Sequence, residues 1–293
     1  MKRMCDKELI KNLRENDLWE NHLKDDCKSS EVLPIIRDNK IDFYYKGGKL
    51  FEYSKNIKNG NKYEFKTHIK YAAVIECQGK DYLTESELLD YKLSTDFSKN
   101  YERIKENCSK YSGVEAIGVS ILYKKYSYLS DSNIVVLDIE ISFESKNEGR
   151  RHDRIDLLLF DKISGTLNFI EAKHYTNSEL WSTKKPDVVE QIERYENQIA
   201  DRKDKILSDY KEYIELLNKC FETELHSSLP YPKEIEEKTT LLIFGFDNDQ
   251  KNGRLKKNIL ENEKYSRIKI YSIGNTENIK NPVDLWNKAK IIK

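Results

Sequence analysis

Residues 154–173, RIDLLLFDKISGTLNFIEAK, carry the pattern that decides the fold. Arg154 to Phe160 reads as a strand, Gly165 marks a turn after Lys162, and Thr166 to Lys173 reads as a second strand, so the pair forms a hairpin. Side chains alternate across a strand, which puts Glu171 and Lys173 on one face and turns Ala172 away. The hairpin brings Asp156 alongside them.

Working outward, Ser132 to Phe143 reads as a strand with Asp138, Glu140 and Ser142 on one face. Downstream, Pro186 opens a helix whose apolar stripe is Val188, Ile192, Tyr195 and Ile199. A further helix is expected from about Lys203 to Glu224, with Ile206, Tyr210, Tyr213, Leu217 and Phe221 inward. Thr239 to Phe246 is so apolar that it should be a central strand covered on both faces, and Ile268 to Ile273 is a further strand. Strands, two helices and more strands imply an α/β domain with a mixed sheet, assigned to residues 113–293.

Residues 1–112 read as a smaller α+β module. One helix is expected from Asp6 to about Lys24, and Lys40 to Tyr53 reads as two short strands around Gly47-Gly48. Strand-forming residues continue from Tyr63 to Gln78. Helices follow over Thr84–Tyr91, opened by a capping box at Thr84 and Glu87, and over Ser98–Tyr111, which Gly113 should close.

The chain has 293 residues, 51 Lys plus Arg against 51 Asp plus Glu, 38% hydrophobic and 35% charged residues. Its 19 Tyr and 10 Phe supply large side chains for a core. Apolar runs such as Leu157–Phe160 and Leu241–Phe244 fall far short of the roughly 18 to 20 residues that span a bilayer. The charged N-terminal residues lack the apolar segment of a secretory signal, so a cytoplasmic protein without membrane association is expected. Cys5, Cys27, Cys77, Cys108 and Cys220 are odd in number and form no C-x-x-C pair, which points to reduced, unligated thiols. Zero net charge argues against bulk electrostatic coating of nucleic acid but allows a local basic patch.

Two carboxylates and a lysine gathered near a strand end suit metal-assisted hydrolysis. Hard cations such as Mg²⁺ prefer oxygen ligands and take one or two carboxylates, leaving room for water and phosphate. Asp156 and Glu171 fit that role, and Lys173 supplies a positive charge to orient water or stabilise the transition state. Arg150, Arg151 and Arg154, with Lys184 and Lys185, are candidates for gripping phosphates, and His174 and Trp181 for lining the substrate cleft. Glu64-Phe65-Lys66, after the strand containing Asp42, repeats the Glu-x-Lys pattern as an internal decoy. No Gly-x-Ser-x-Gly elbow and no phosphate-binding Gly-x-x-x-x-Gly-Lys-Ser/Thr loop occurs.

The order Asp156, Glu171-Ala172-Lys173, then Gln191 and Tyr195 on the following helix resembles the PD-(D/E)XK nuclease superfamily. It is most similar to the branch with a Gln-x-x-x-Tyr helix, found in nuclease domains of recombination helicases and CRISPR adaptation exonucleases. The resemblance covers roughly Ser132 to Phe246, with Ile155 standing where a proline often precedes the aspartate. It implies a PD-(D/E)XK-type mixed central sheet flanked by helices, with Asp156, Glu171, Lys173, Gln191 and Tyr195 as catalytic residues and Mg²⁺ or Mn²⁺ as cofactor. It also implies a further acidic residue upstream. Glu102, Glu106, Glu115 and Glu140 are eligible, and Glu140 is preferred because its strand should neighbour Asp156; His152 shares the parity of Asp156. The implied activity is a metal-dependent deoxyribonuclease, an endonuclease, with antiviral defence as its setting by association. A homodimer would suit cleavage of both strands, and the N-terminal module is free to recognise substrate or to receive a partner protein or activating ligand. The competing reading is a catalytically silent nucleic-acid-binding or scaffolding protein that keeps the fold.

Overall fold

The computed structural model describes residues 5–72, 80–90, 96–142, 154–182 and 186–291. The first sheet is a meander of β1 (Leu33–Arg37), β2 (Lys40–Tyr45), β3 (Gly48–Asn56), β4 (Lys62–His68) and β5 (Tyr82–Thr84), each antiparallel to the next. The hairpin expected at Gly47-Gly48 joins β2 to β3. Gly47 has a φ of 84°, and a Cβ there would lie 2.4 Å from the backbone of Ala116, so both conformation and space demand glycine. One face of this sheet is aromatic: Phe43, Phe51, Phe65 and Tyr53 pack ring to ring and meet Trp19, Phe97 and Tyr101.

The helices of this half are α1 (Lys7–Arg14), α2 (Lys24–Lys28), α3 (Ile69–Ala72), α4 (Glu85–Asp90) and α5 (Tyr101–Tyr111). The single helix expected over Asp6–Lys24 is broken into α1, a π-helical turn at Trp19–Leu23, and α2. The Asn16 side chain accepts from the Leu18 amide at 2.8 Å and thereby caps the second segment instead of continuing the first. The box at the start of α4 forms as read: the Glu87 amide donates to Thr84 Oγ1 (3.3 Å) and the Thr84 amide to Glu87 Oε2 (3.1 Å). Gly113 does not close α5; it is the extended N-cap residue of α6 (Val114–Lys125), a helix absent from the sequence reading.

The second sheet contains β6 (Ile134–Ile141), β7 (Ile155–Asp161), β8 (Thr166–His174), β9 (Glu234–Ile235), β10 (Thr240–Phe244), β11 (Lys269–Ile273) and β12 (Lys290–Ile291). Its order is β12-β11-β10-β8-β7-β6, with β9 pairing the start of β8. β6, β7 and β8 run antiparallel, while β8, β10 and β11 run parallel, so the sheet is mixed. Helices α7 (Asp187–Asp201) and α8 (Lys203–Cys220) join β8 to the strands beyond. β10 is covered on both faces: Leu241 and Ile243 pack with Val188 and Ile192 of α7, while Leu242 and Phe244 enter the larger core with Val119 and Leu122 of α6. The chain is thus mixed α/β, with two sheets of which one is mixed.

The two sheets share one apolar core. Polar ties reinforce the junction: Arg37 donates to Asp138 Oδ1 (2.8 Å) and to the Ile139 carbonyl (2.7 Å), and Tyr210 Oη donates to Asp138 Oδ2 (2.9 Å). Cys5 Sγ and Cys220 Sγ approach to 3.6 Å as free thiols. Among the described residues no helix is long and apolar enough to cross a membrane.

Candidate active site

The hairpin register places the three central residues together. β7 and β8 pair as far as Leu157 opposite Ile170, so Asp156 and Glu171 come next on adjoining strands. Beyond that pair, Asp156 Oδ2 accepts from the Ala172 amide at 2.8 Å, which fixes its carboxylate against β8. β10 lies on the other side, with Leu241 opposite Glu171 and Ile243 opposite Lys173, so both charged residues face the α7 side of the sheet. Ala172 points into the larger core, as the alternation requires.

Glu171 is almost wholly buried. Its Oε1 meets Lys173 Nζ at 2.9 Å, and its Oε2 is buried without a hydrogen-bond partner. Burial, together with the neighbouring Asp156 charge, holds the Glu171 carboxyl well above the usual carboxylate range. Burial also pushes the Asp156 carboxyl up to about 7, against the Ala172 amide and Lys173 and with help from Glu115 and Glu140. Burial alone would lower Lys173, but Glu171 and Glu179, the latter at 2.7 Å, hold its ammonium above the ordinary lysine value. Burial therefore shifts both central carboxyls in the same direction, toward the protonated form.

Gln191 and Tyr195 act on the aspartate strand. Gln191 Nε2 donates to Tyr195 Oη (2.6 Å), and the buried Tyr195 hydroxyl donates to the Arg154 carbonyl (2.7 Å), two residues before Asp156. One helical turn separates the two side chains, so α7 presents them as a unit.

The acidic neighbours divide into two. Glu140 is exposed, has a φ of 48°, and meets Tyr44 Oη at 3.1 Å and the Arg154 guanidinium at 3.5 Å. Glu115, in the first turn of α6, accepts from the His174 amide (2.8 Å) and Asn177 Nδ2 (2.7 Å). Of the two, Glu115 acts more strongly on Asp156. Glu102 and Glu106 sit on α5, where Glu106 pairs with Lys110. Glu115 is eligible from the sequence, where Glu140 is preferred for the strand expected beside Asp156; the helix that carries Glu115 is not legible there. Val114, Ala116, Ile117, Val119 and Leu122 run round most of the α6 circumference and leave no amphipathic stripe to detect. Glu179 and Asn177 were missed altogether, since a short loop contributes no periodicity.

Two glycines seat α6 and the end of β8. A Cβ on Gly118 would lie 2.2 Å from the Phe244 ring, and one on Gly245, whose φ is 82°, would lie 2.0 Å from His174 Nε2. His174 hydrogen-bonds Thr176 Oγ1 (2.8 Å) and, with Gly113, Val114, Glu115, Thr176 and Asn177, lines an open cleft of about 270 Å³. Trp181 does not line it. The Trp181 indole donates to the Tyr175 carbonyl at 2.8 Å and one ring face is covered by the Arg254 guanidinium at 3.9 Å. Arg150, Arg151, His152, Lys184 and Lys185 lie outside the described residues. The Glu64 decoy is structural: its carboxylate accepts from the Ser86 amide and hydroxyl, while Lys66 pairs with Glu52.

The donor set is all oxygen. Among the described residues no three His, Cys, Asp or Glu side chains form a ready metal-binding group, so any ion here would rest on the Asp156–Glu171 pair and water. That number suits a hard divalent cation. The unpartnered Glu171 Oε2 is the feature such an ion would satisfy. Compared with family models, curated proteins and solved structures, the chain matches none.

Proposed function

We propose that this protein is a divalent-metal-dependent nuclease of the PD-(D/E)XK type that hydrolyses phosphodiester bonds, with DNA as its substrate and an endonuclease mode of cleavage. The observation that carries the reading is the buried, unpartnered Oε2 of Glu171 on the strand beside Asp156, with Lys173 on the other oxygen of the same carboxylate. Bound Mg²⁺ or Mn²⁺ would polarise the phosphoryl group and lower the pKa of a bound water. Asp156 and Glu171 would hold it as carboxylates, with release of any proton they carry. Lys173, relieved of neutralising Glu171, is then placed to orient the attacking water or to stabilise charge on the phosphoryl oxygens. Glu115 adds negative charge at the cleft wall, and Gln191 with Tyr195 fixes the strand that carries Asp156. Arg154, exposed beside Glu140, is available to a phosphate.

A catalytically silent nucleic-acid-binding protein is the second reading. It is favoured by the double pairing of Lys173 to Glu171 and Glu179. Cleavage of linear and circular, single- and double-stranded DNA and of RNA, with Mg²⁺ or Mn²⁺ against EDTA, separates the two. Metal-dependent cutting lost in Lys173→Ala supports the nuclease. Binding that is equal with and without metal, and no turnover, supports the silent protein. Antiviral defence, a homodimer, and a partner protein or activating ligand at the N-terminal module extend the same proposal by resemblance.

A further inference from the structure

We propose that the N-terminal sheet carries a track for single-stranded nucleic acid that leads into the cleft beside Glu115; the inference rests on the nuclease reading and assigns the form of its substrate. The track begins at the exposed Tyr82 on the edge strand β5, whose ring has Lys49 and Lys66 each 5.8 Å from its centroid. His68 stands edge-on to Tyr82 at 5.4 Å and lies 5.5 Å from Tyr71, which lies 6.3 Å from Tyr111. Lys70 Nζ sits 5.7 Å from the Tyr111 ring. Tyr111 is 60% exposed and ends α5; the next residues, Gly113 and the 58% exposed Val114, are already the cleft wall.

Two features select the ligand. The first is how the charges are layered. Lys40, Lys49 and Lys66 pair with Glu52 at 2.8, 3.0 and 2.7 Å, and Lys40 and Lys49 also with Asp42 at 3.7 and 3.5 Å, but the Glu52 and Asp42 side chains are only 7% and 6% exposed whereas those of the lysines are 27–33% exposed. The carboxylates lie beneath lysine side chains that are partly exposed, so the surface offers cations to a phosphate backbone. The second is the exposure of aromatic rings between those cations. Stacking needs the faces of bases, and a duplex keeps those faces covered by neighbouring bases, whereas a single strand can present them. Alternating rings and lysines therefore fit a single strand threading toward Glu115 and His174.

The test is fluorescence anisotropy with full-length protein in EDTA, using labelled oligo-dT and a duplex of equal length. Wild-type protein should bind the single strand more tightly than the duplex. The double variant Tyr82→Ala with Tyr111→Ala should weaken single-strand binding about tenfold or more, while the double Phe variant, which keeps both rings, should stay within about twofold. Both positions are exposed, so folding is retained and thermal melts verify it. Equal binding by the Ala variant and wild type, an equal loss in the Phe variant, or a preference for duplex would each overturn the track. Cleavage by wild type and Lys173→Ala in Mg²⁺ is scored separately. Metal-dependent cutting with ring-independent binding would sink the track alone, and ring-dependent binding without cutting would sink the nuclease reading alone.

Discussion

Replacing Asp156 with asparagine should stabilise the metal-free protein above neutral pH while abolishing cleavage. In the fold the carboxyl is pushed up to about 7, against an ordinary value of 3.8, with burial as the largest cause. Below about pH 4 it is protonated in both folded and unfolded chains and costs nothing. As pH rises toward 7 the unfolded chain ionises freely while the folded one resists, so the stability present at low pH is lost across that window. A displacement of about three pH units, at 1.36 kcal/mol each, sets an upper limit of about 4 kcal/mol, and solvent access to the half-buried carboxylate reduces it. Asparagine keeps an oxygen to accept the Ala172 amide and removes the charge. Urea unfolding in EDTA at about pH 5 and about pH 8 should show Asp156→Asn gaining on wild type by more at the higher value. Adding Mg²⁺ at the higher pH should then stabilise wild type, by about 2.7 kcal/mol at a hundredfold excess over Kd, and leave the variant unchanged. A stability difference independent of pH, or a Mg²⁺ response equal in both proteins, would refute the reasoning about this carboxylate.

Tyr195→Phe removes the hydroxyl that holds the Arg154 carbonyl and should cost about 1 kcal/mol in chemical denaturation, with a loss of cleavage rate larger than that stability change explains. Arg37→Ala removes the guanidinium paired with the buried Asp138 and should cost about 3 kcal/mol or more, measured by the same unfolding assay; a loss below about 1 kcal/mol would show that the remaining hydrogen bonds, from Tyr210 and the Ile139 amide among them, suffice. Gly118→Ala should cost about 1 to 3 kcal/mol, because its methyl group would press on Phe244, and cleavage should fall as α6 carries Glu115 away from the cleft; unchanged melting would contradict the close approach.

Periodicity made much of the C-terminal half legible. The stripe Val188, Ile192, Tyr195 and Ile199 is buried as read, and Thr240–Phe244 is a central strand covered on both faces. Turn chemistry did the same for the hairpins at Gly47 and Gly165, both of which have positive φ. Three elements escaped for physical reasons. α6 is apolar around most of its circumference and so has no stripe. The π-helical break follows from a side-chain cap at Asn16 that helix propensity does not anticipate. β6 carries a register shift between Val136 and Asp138 and a positive φ at Glu140, neither of which alternation foresees; Asp138 is buried on Arg37, while Glu140 is exposed.

The sequence by itself determined which residues share a strand face and a helix turn, because those relations depend only on backbone periods of two and 3.6. It therefore paired Glu171 with Lys173, and Gln191 with Tyr195. Only the tertiary structure decided what those pairs touch. That Tyr195 holds the strand of Asp156, that Glu115 reaches the cleft from a helix distant in sequence, and that burial raises the carboxyls of Asp156 and Glu171 are consequences of packing, and burial and Coulomb interactions depend on distances through space.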